Sequence, residues 1–535
     1  MRLQYACLLC MFSFFSATLG SAQVTSTDAR RLGMEIAWQA QVQMPKVGRG
    51  IVSSHLWVDS TAPARKYAVV ELPGGRTVRV SADELDYRGQ PLGIEAAKAQ
   101  AGERAARLLG KNDGFSVVET TVPQIRLVFI TSDGLVQNFD AEKGELLWST
   151  PCGSALAPAH PGAVSPAGVS LIHGRDLYLL DWQTGKQIMT RELTYGSSMA
   201  LAVCNNLAYV TDFRGRLQAY GLGVERKLWS SQIIGRAVGQ PVTLANQSLC
   251  AIASTEGYVY TLTAGENPGL WTRYETSSKI SGSLAAGNNA FYAGTGDGLL
   301  TKISVAQRIG SLDWEYPSGE TITAPALVLG PRVLIATEGG AVHCIDDKTG
   351  FAVWAQTGQR VEQPVAAAAG QYLCLITTGE IYGFDTETGA VVGRTNPSSI
   401  KTAVNNQIND RLYVVGEGGR LQCLRPSNAE LPNMIAPVEA GEEAAAQEAA
   451  PTEAKPAPAA PAANPFNFDS QTPPASATNP FGTEAAAPAG ANPFGGAATP
   501  AGDAGAAGDA GAAGDATNPF GTGEMANPFG GDSPF

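Results

Sequence analysis

Two sets of residues in this 535-residue chain recur at spacings that carry chemistry. The first is Asn-Pro-Phe, present five times and ending at Phe466, Phe481, Phe494, Phe520 and Phe529, with Ser533-Pro534-Phe535 as an imperfect sixth copy. Asn and Pro favour a compact turn that projects one ring, so the chemistry is apolar docking, and repetition makes it multivalent. The second is an acid followed four residues later by glycine: Asp140 with Gly144, Asp181 with Gly185, Asp346 with Gly350 and Asp385 with Gly389. In the pattern Asp-x-x-Thr-Gly such an acid accepts backbone N–H bonds inside a hairpin turn, and the glycine supplies positive φ. These acids therefore read as structural rather than catalytic. The chain has four histidines, His55, His160, His173 and His343, none paired at ligand spacing, which argues against a histidine-rich metal site. His173 and His343 lie within strand patterns and read as packed side chains. Gly294-Thr295-Gly296 falls between strands rather than before a helix, so a dinucleotide-binding reading fails on context. No catalytic, cofactor-binding or metal residue is assigned, and the expectation is a protein that is not an enzyme.

The elements that position the turn acids repeat with them. A short apolar strand, a Gly-rich turn and an alternating strand precede each Asp, and an apolar stretch ending in Trp follows. Clear copies run over residues 127–148, 177–189, 332–354 and 372–393, with Trp148 and Trp354 closing the first and third. Weaker copies end at Trp229, Trp271 and Trp314. Counting eight residues back from each closing position gives steps of 41, 40, 42, 43, 40 and 39 residues. An eighth copy, residues 411–426, keeps both strands and stops where its Asp would fall. A period near 41 that holds about four strands is that of a β-propeller blade. No fourth strand follows Cys423, so closing the ring needs a strand from before Phe115.

The Asp-x-x-Thr-Gly-x-x-x-Trp spacing resembles the pyrroloquinoline-quinone-type repeat, over roughly residues 115–426. That family includes quinoprotein alcohol dehydrogenases and non-enzymatic propellers, among them a scaffold lipoprotein of outer-membrane assembly. The resemblance implies the fold and leaves quinone binding open. Its enzymes use a vicinal Cys-Cys pair over the quinone, which this sequence lacks. The non-enzymatic branch is therefore the reading, with no cofactor, and a quinone-dependent dehydrogenase or sensor is the alternative.

Outside the repeats the chain changes character. Residues 1–22 read as a secretory signal: Arg2, an apolar run from Tyr5 to Phe15, then Gly20-Ser21-Ala22. Export to the periplasm or cell envelope, or beyond the cell, follows, and no later stretch is apolar enough to span a membrane. Six cysteines remain, Cys152, Cys204, Cys250, Cys344, Cys374 and Cys423, mostly in apolar strand patterns where a free thiol serves as a small core residue. Residues 23–113 read as a small α+β module. Its hairpin pairs Lys66–Leu72 with Arg76–Val80, Ser81–Glu84 resembles a capping box, and a helix runs over Ile94–Leu109 with Ala97, Ala101, Ala105 and Leu108 on one stripe. Trp57-Val58-Asp59-Ser60-Thr61 resembles the small adaptor module that binds Asn-Pro-Phe peptides; the same residues also suit plain packing or the strand that closes the ring.

After Asn433 the composition collapses to Ala, Pro, Gly and Glu, which predicts a disordered tail, bounded at residues 429–535. Residues 431–535 hold twelve acids against Lys455 alone, a charge of −11 out of −12 for the chain. The remainder is near neutral, with no basic stripe for nucleic acid. The sequence thus predicts an all-β chain: an eight-bladed β-propeller over 114–428, a small N-terminal module, and a tail whose five Phe residues dock protein partners onto a monomeric scaffold.

Overall fold

The computed structural model describes residues 24–435, apart from 46–49, 73–75, 111–114, 155–156, 199–200, 224–226, 265–267, 306–309, 397 and 428. Within them lie eight four-stranded antiparallel sheets and one three-stranded sheet. Sheet 1 takes Ile51–Asp59, Gln124–Thr131, Leu135–Asp140 and Leu146–Pro151 in spatial order. Sheets 2 to 7 are sequential meanders over residues 163–192, 202–232, 237–275, 285–317, 327–356 and 361–394. Sheet 8 joins Ile400–Ala403, Leu412–Gly416 and Arg420–Pro426 to Met34–Gln41, whose register runs from Met34 opposite Pro426 to Gln41 opposite Arg420. The strand needed from the N-terminal side is therefore Met34–Gln41.

The second and third strands of each sheet read as near-continuous apolar runs because both of their faces are covered. Gly168–His173, Leu249–Ser254 and Gln371–Ile376 are buried throughout. Eight apolar clusters cement the sheets, and each one joins two neighbours. The cluster of Val128, Ile130, Leu171 and Leu180 joins sheets 1 and 2, and that of Leu334, Cys344, Cys374 and Phe384 joins sheets 6 and 7. The series returns on itself, since Tyr413, Val415 and Leu421 of sheet 8 pack on Leu127, Phe129 and Phe139 of sheet 1. The chain is an all-β propeller.

The stretch before residue 114 does not fold as one module. Met34–Gln41 and Ile51–Asp59, the latter including Trp57 and Asp59, are propeller strands. Asp59 ends its strand in a buried ion pair with Arg126 at 3.2 Å and accepts the N–H of Thr61 at 3.1 Å, so the 57–61 segment is the end of a sheet-1 strand and its turn. The module is an insertion between the first and second strands of sheet 1. It comprises Arg65–Leu72, Arg76–Ser81, helix Gly93–Leu109 and Val117–Val122. Ala68, Val70, Ala97, Ala101 and Ala105 form its separate core. Leu108, expected on the buried stripe, is exposed. No helix begins at Ser81: Glu84 N–H bonds back to the Ser81 carbonyl at 3.1 Å, and the helix starts after Leu92 without a side-chain cap. The box residues make a turn because Leu92 and Gly93 must hydrogen-bond back to Glu84 and Ala82, which uses up the backbone there. No helix of the described residues is long and apolar enough to cross a membrane. The five Asn-Pro-Phe triplets lie outside the described residues.

Candidate functional site

The repeated acids act within their turns. Asp140 Oδ1 accepts the N–H groups of Glu142 at 2.9 Å and Lys143 at 3.0 Å. Asp181, Asp346 and Asp385 each accept the N–H and hydroxyl of the turn threonine, Thr184, Thr349 or Thr388, at 2.7–3.0 Å. Hydrogen bonds from the turn, the threonine hydroxyl foremost, hold the Asp181, Asp346 and Asp385 carboxyls below the usual range. Asp140 is also depressed, although burial works against ionisation there. The Arg65 guanidinium of the inserted module pairs with it and outweighs that cost.

The glycine of each turn receives an indole from the preceding sheet. Gly185 has φ +65°, and a Cβ added to it would lie 2.5 Å from Trp148 Cδ2; at Gly350 it would lie 2.7 Å from Trp314 Cγ. Gly389 sits beneath Trp354 and Gly144 beneath Trp38 in the same way. Each ring then donates its Nε1–H to a carbonyl just after the turn acid. Trp148 bonds Trp182 O at 2.8 Å, Trp314 bonds Asp347 O at 2.8 Å, Trp354 bonds Thr386 O at 3.1 Å, and Trp38 bonds Ala141 O at 3.1 Å. Trp271 reaches Val305 O at 3.3 Å, and Trp229 packs edge-on to Tyr209 with ring centroids 6.3 Å apart. Trp38, Trp148, Trp271, Trp314 and Trp354 thus staple one sheet to the next, whereas the Tyr209 partner of Trp229 lies in its own sheet. Trp38 is the staple that sequence reasoning missed, because its turn partner lies a hundred residues downstream. Its signal was the strand pattern Met34-Glu35-Ile36-Ala37-Trp38, which ends as the repeats do.

Because strands alternate in direction, the turns between third and fourth strands share one face with the links between first and second strands. That face carries the acid–glycine turns, the inserted module and the departing C-terminal segment. Asn433 and Ile435 are tied to the loop before Leu412 by Asn433 N–H to Asp410 Oδ1 at 3.0 Å and Ile435 N–H to Ile408 O at 2.8 Å. Between module, sheet 8 and the first acid–glycine turn lies a cleft of about 260 Å³, lined by Trp38, Arg79, Glu142, Lys143, Arg411, Arg425 and Glu430 among others. Arg411 is buried, pairs with Asp410 at 3.1 Å and donates to the Glu430 carbonyl at 3.2 Å. Burial pushes the Glu142 carboxyl up, against the pull of the nearby arginines. The arginines of the cleft are paired, Arg79 with Glu430 at 3.4 Å and Arg425 with Glu35 at 2.8 Å, and its residues hold the seam between module and ring.

The remaining titratable groups are packed. His173 Nε2 lies 2.6 Å from Ala157 O, and His343 Nδ1 lies 3.0 Å from the Tyr316 hydroxyl. Burial lowers His343, His160 and His55, the last to about 4. The six cysteines among the described residues are buried thiols; burial raises Cys344 to about 11 and Cys152 to about 12. Among the described residues no group of three or more His, Cys, Asp or Glu is placed to hold a metal ion.

Comparison with known proteins bears on this arrangement. The chain matches the family described as outer membrane protein assembly factor BamB in three overlapping segments, 132–232, 214–354 and 319–452. No curated protein matches it. Among solved structures it is similar to BamB from Moraxella catarrhalis, with 16% identity, 56% of this chain and 91% of that one covered, and a TM-score of 0.46. It is also similar to the computationally designed Ika8 protein, at 15% identity, 56% and 92% coverage and a TM-score of 0.46. The WD40 domain of Sif2 follows at 10% identity, 56% and 92% coverage and a TM-score of 0.43. With its four acid–glycine turns inside matches that span more than half of its length, this chain belongs to the family of the outer membrane protein assembly factor BamB.

Proposed function

We propose that this protein is an exported, non-enzymatic scaffold of the cell envelope, in which a monomeric propeller of eight blades, one per four-stranded sheet, presents rigid faces while the tail recruits protein partners. The observation that carries the reading is the family match over residues 132–452, whose description is of an assembly factor for outer membrane proteins. The chemistry of the repeats agrees with it, since the recurring acids are engaged in turns and the tryptophans in seams. The tail supplies what the ring lacks. Phe466, Phe481, Phe494, Phe520 and Phe529 are single apolar ligands on one chain, and several weak sites on one chain act with raised effective concentration.

The test is a pull-down from cell-envelope extract with the mature chain, set against a variant in which all five triplet Phe residues are changed to Ala. Proteins held by the first and lost from the second are the expected result. An identical set of bound proteins would remove the tail from the proposal.

A further inference from the structure

The seam between sheets 3 and 4 brings together two cysteines from different hairpins. Cys204 ends the strand Ala202–Cys204, and Cys250 is the second residue of Leu249–Ser254. Thr243 lies opposite Cys250 in sheet 4 and donates its hydroxyl to Val203 O of sheet 3 at 2.7 Å. The residue beside Cys204 is thereby tied to the register partner of Cys250. Asn205 N–H reaches Gln247 Oε1 at 3.4 Å, and the Tyr209 hydroxyl donates to Thr263 O at 2.7 Å across the same seam. The two cysteines share one apolar cluster, and their thiols are in hydrogen-bond contact there. Burial raises the Cys204 thiol, and the contact with Cys250 adds to the rise. Cys344 and Cys374 also share a cluster, between sheets 6 and 7, yet burial alone raises Cys374, so a common core does not by itself make a pair.

Both thiols lie close beneath the surface. Cys204 is followed by the exposed turn residues Asn205 and Asn206, and Cys250 stands two residues after exposed Ser248. Fraying of these two turns, which the Asn205–Gln247 bond joins, opens one end of the seam to the pair. We infer that Cys204 and Cys250 are a modification site, a dithiol that a disulfide-bearing oxidant converts into a bond clamping sheet 3 to sheet 4. One cysteine, as thiolate, attacks the oxidant RSSR; a mixed disulfide forms and RS⁻ leaves. The second thiolate then attacks the cysteine sulfur of the mixed disulfide, closing the Cys204–Cys250 bond and releasing the other RS⁻. Two cysteine thiols are oxidised, one disulfide is reduced, and the two protons end on the two RSH released. Because the thiols are buried, the bond is set during folding or local opening, and the closed seam then shields it from reduction. It links residues 46 positions apart, at a seam where Trp229 packs on Tyr209 of its own sheet. The oxidising compartment rests on the export reading made above; the chemistry of the pair does not.

The experiment uses the mature chain with its six cysteines, purified reduced, and glutathione disulfide as the probe. The probe is applied to the folded chain and, in parallel, during refolding from denaturant. Free thiols are then alkylated and the chain is digested for mass spectrometry. A Cys204–Cys250 linked peptide is expected in at least one arm, with alkylated cysteines falling from six to four. The thermal midpoint is expected to rise by a few degrees and to return when dithiothreitol is added. Cys250→Ala is expected to abolish both the link and the rise, and Cys344→Ala to keep both. The linked peptide of the unchanged chain decides the question if Cys250→Ala fails to fold. Six free thiols in both arms, glutathione held on Cys204 or Cys250 without closure, or a Cys344–Cys374 link in equal yield overturns the inference. Chain taken from its own cells with thiols blocked tests export separately. Free thiols there, with the link forming in vitro, would count against the export reading and leave the site standing.

Discussion

Two seams of the ring do the same job with different chain. Between sheets 6 and 7 the staple is local: Trp354 covers Gly389 and bonds Thr386, 32 residues away. Between sheets 8 and 1 the staple is Trp38, on a strand that pairs with residues almost four hundred positions later and covers Gly144 of the first turn. The two geometries are alike, indole over positive-φ glycine and Nε1–H to a carbonyl at 3.1 Å. A third seam shows what happens when the Trp is missing. At Gly393 of sheet 7, in the place of a closing Trp, the gap is filled by the helix Ser26–Arg31 and the residue after it, and a Cβ added there would lie 2.6 Å from Arg31 O. Asn396 and Arg31 both donate to Asp28 of that helix, at 2.9 and 3.1 Å. The difference teaches that the seam, rather than the sequence repeat, is the conserved physical unit of this ring: whatever chain is at hand is used to bury the same surface.

The largest test of that comparison removes residues 24–45. Sheet 8 would lose its outer strand and the ring two of its seams, exposing Leu421, Cys423 and Leu424, now buried, along an open sheet edge. Loss of the cooperative thermal transition and aggregation on size exclusion are expected. A circular permutant that starts at Ile51 and carries residues 24–45 after Ser427 is expected to restore both. A failed rescue would mean that the closing strand must be made first and that chain order matters after all.

Next in size are the staples themselves. Trp38→Ala and Trp354→Ala should each cost about 3 kcal/mol, since a large aromatic ring and one hydrogen bond are removed from a packed seam. Chemical denaturation checks the prediction, and the point of interest is the difference between them. Equal losses support one physical unit. A much larger loss for Trp38→Ala would mark the closure seam as the weak joint, where local opening begins.

Much of this was legible in the residues. The 41-residue period and the strand–turn–strand pattern identified the propeller, and the need for an N-terminal strand followed from counting strands in the last repeat. What escaped did so for physical reasons. Met34–Gln41 has a mixed burial pattern, because one side of an outer strand faces water, so its apolar signal is diluted. Trp57–Asp59 reads as part of a module because the module's own residues follow it directly, and nothing local says that a propeller strand has been interrupted by an insertion. Ser81–Glu84 has the residues of a capping box, but Leu92 and Gly93 turn the chain back onto it. The contact of Cys204 with Cys250 is a product of two sheets packed side by side, and no spacing in sequence encodes it.

The smallest effect separates two turns that look equivalent in sequence. Asp181 lies near the surface and bonds only its own turn, at Gln183, Thr184 and the Thr184 hydroxyl. Asp140 makes the same bonds to Glu142 and Lys143 but is buried beneath the inserted module, where Arg65 pairs with it. Asp140→Ala therefore removes turn bonds and also strands a largely buried guanidinium, a loss of about 2 kcal/mol. Asp181→Ala loses turn bonds alone in a solvated setting, and less than half of that effect is expected. The double variant Asp140→Ala with Arg65→Met removes both charges and should recover part of the loss, because an apolar side chain of similar length needs no counter-ion. If Asp140→Ala and Asp181→Ala proved equal, the module would be resting on the ring without stabilising it. If the double variant recovered stability as expected, the first turn would be the point at which the insertion is fastened to the same acid that shapes the repeat.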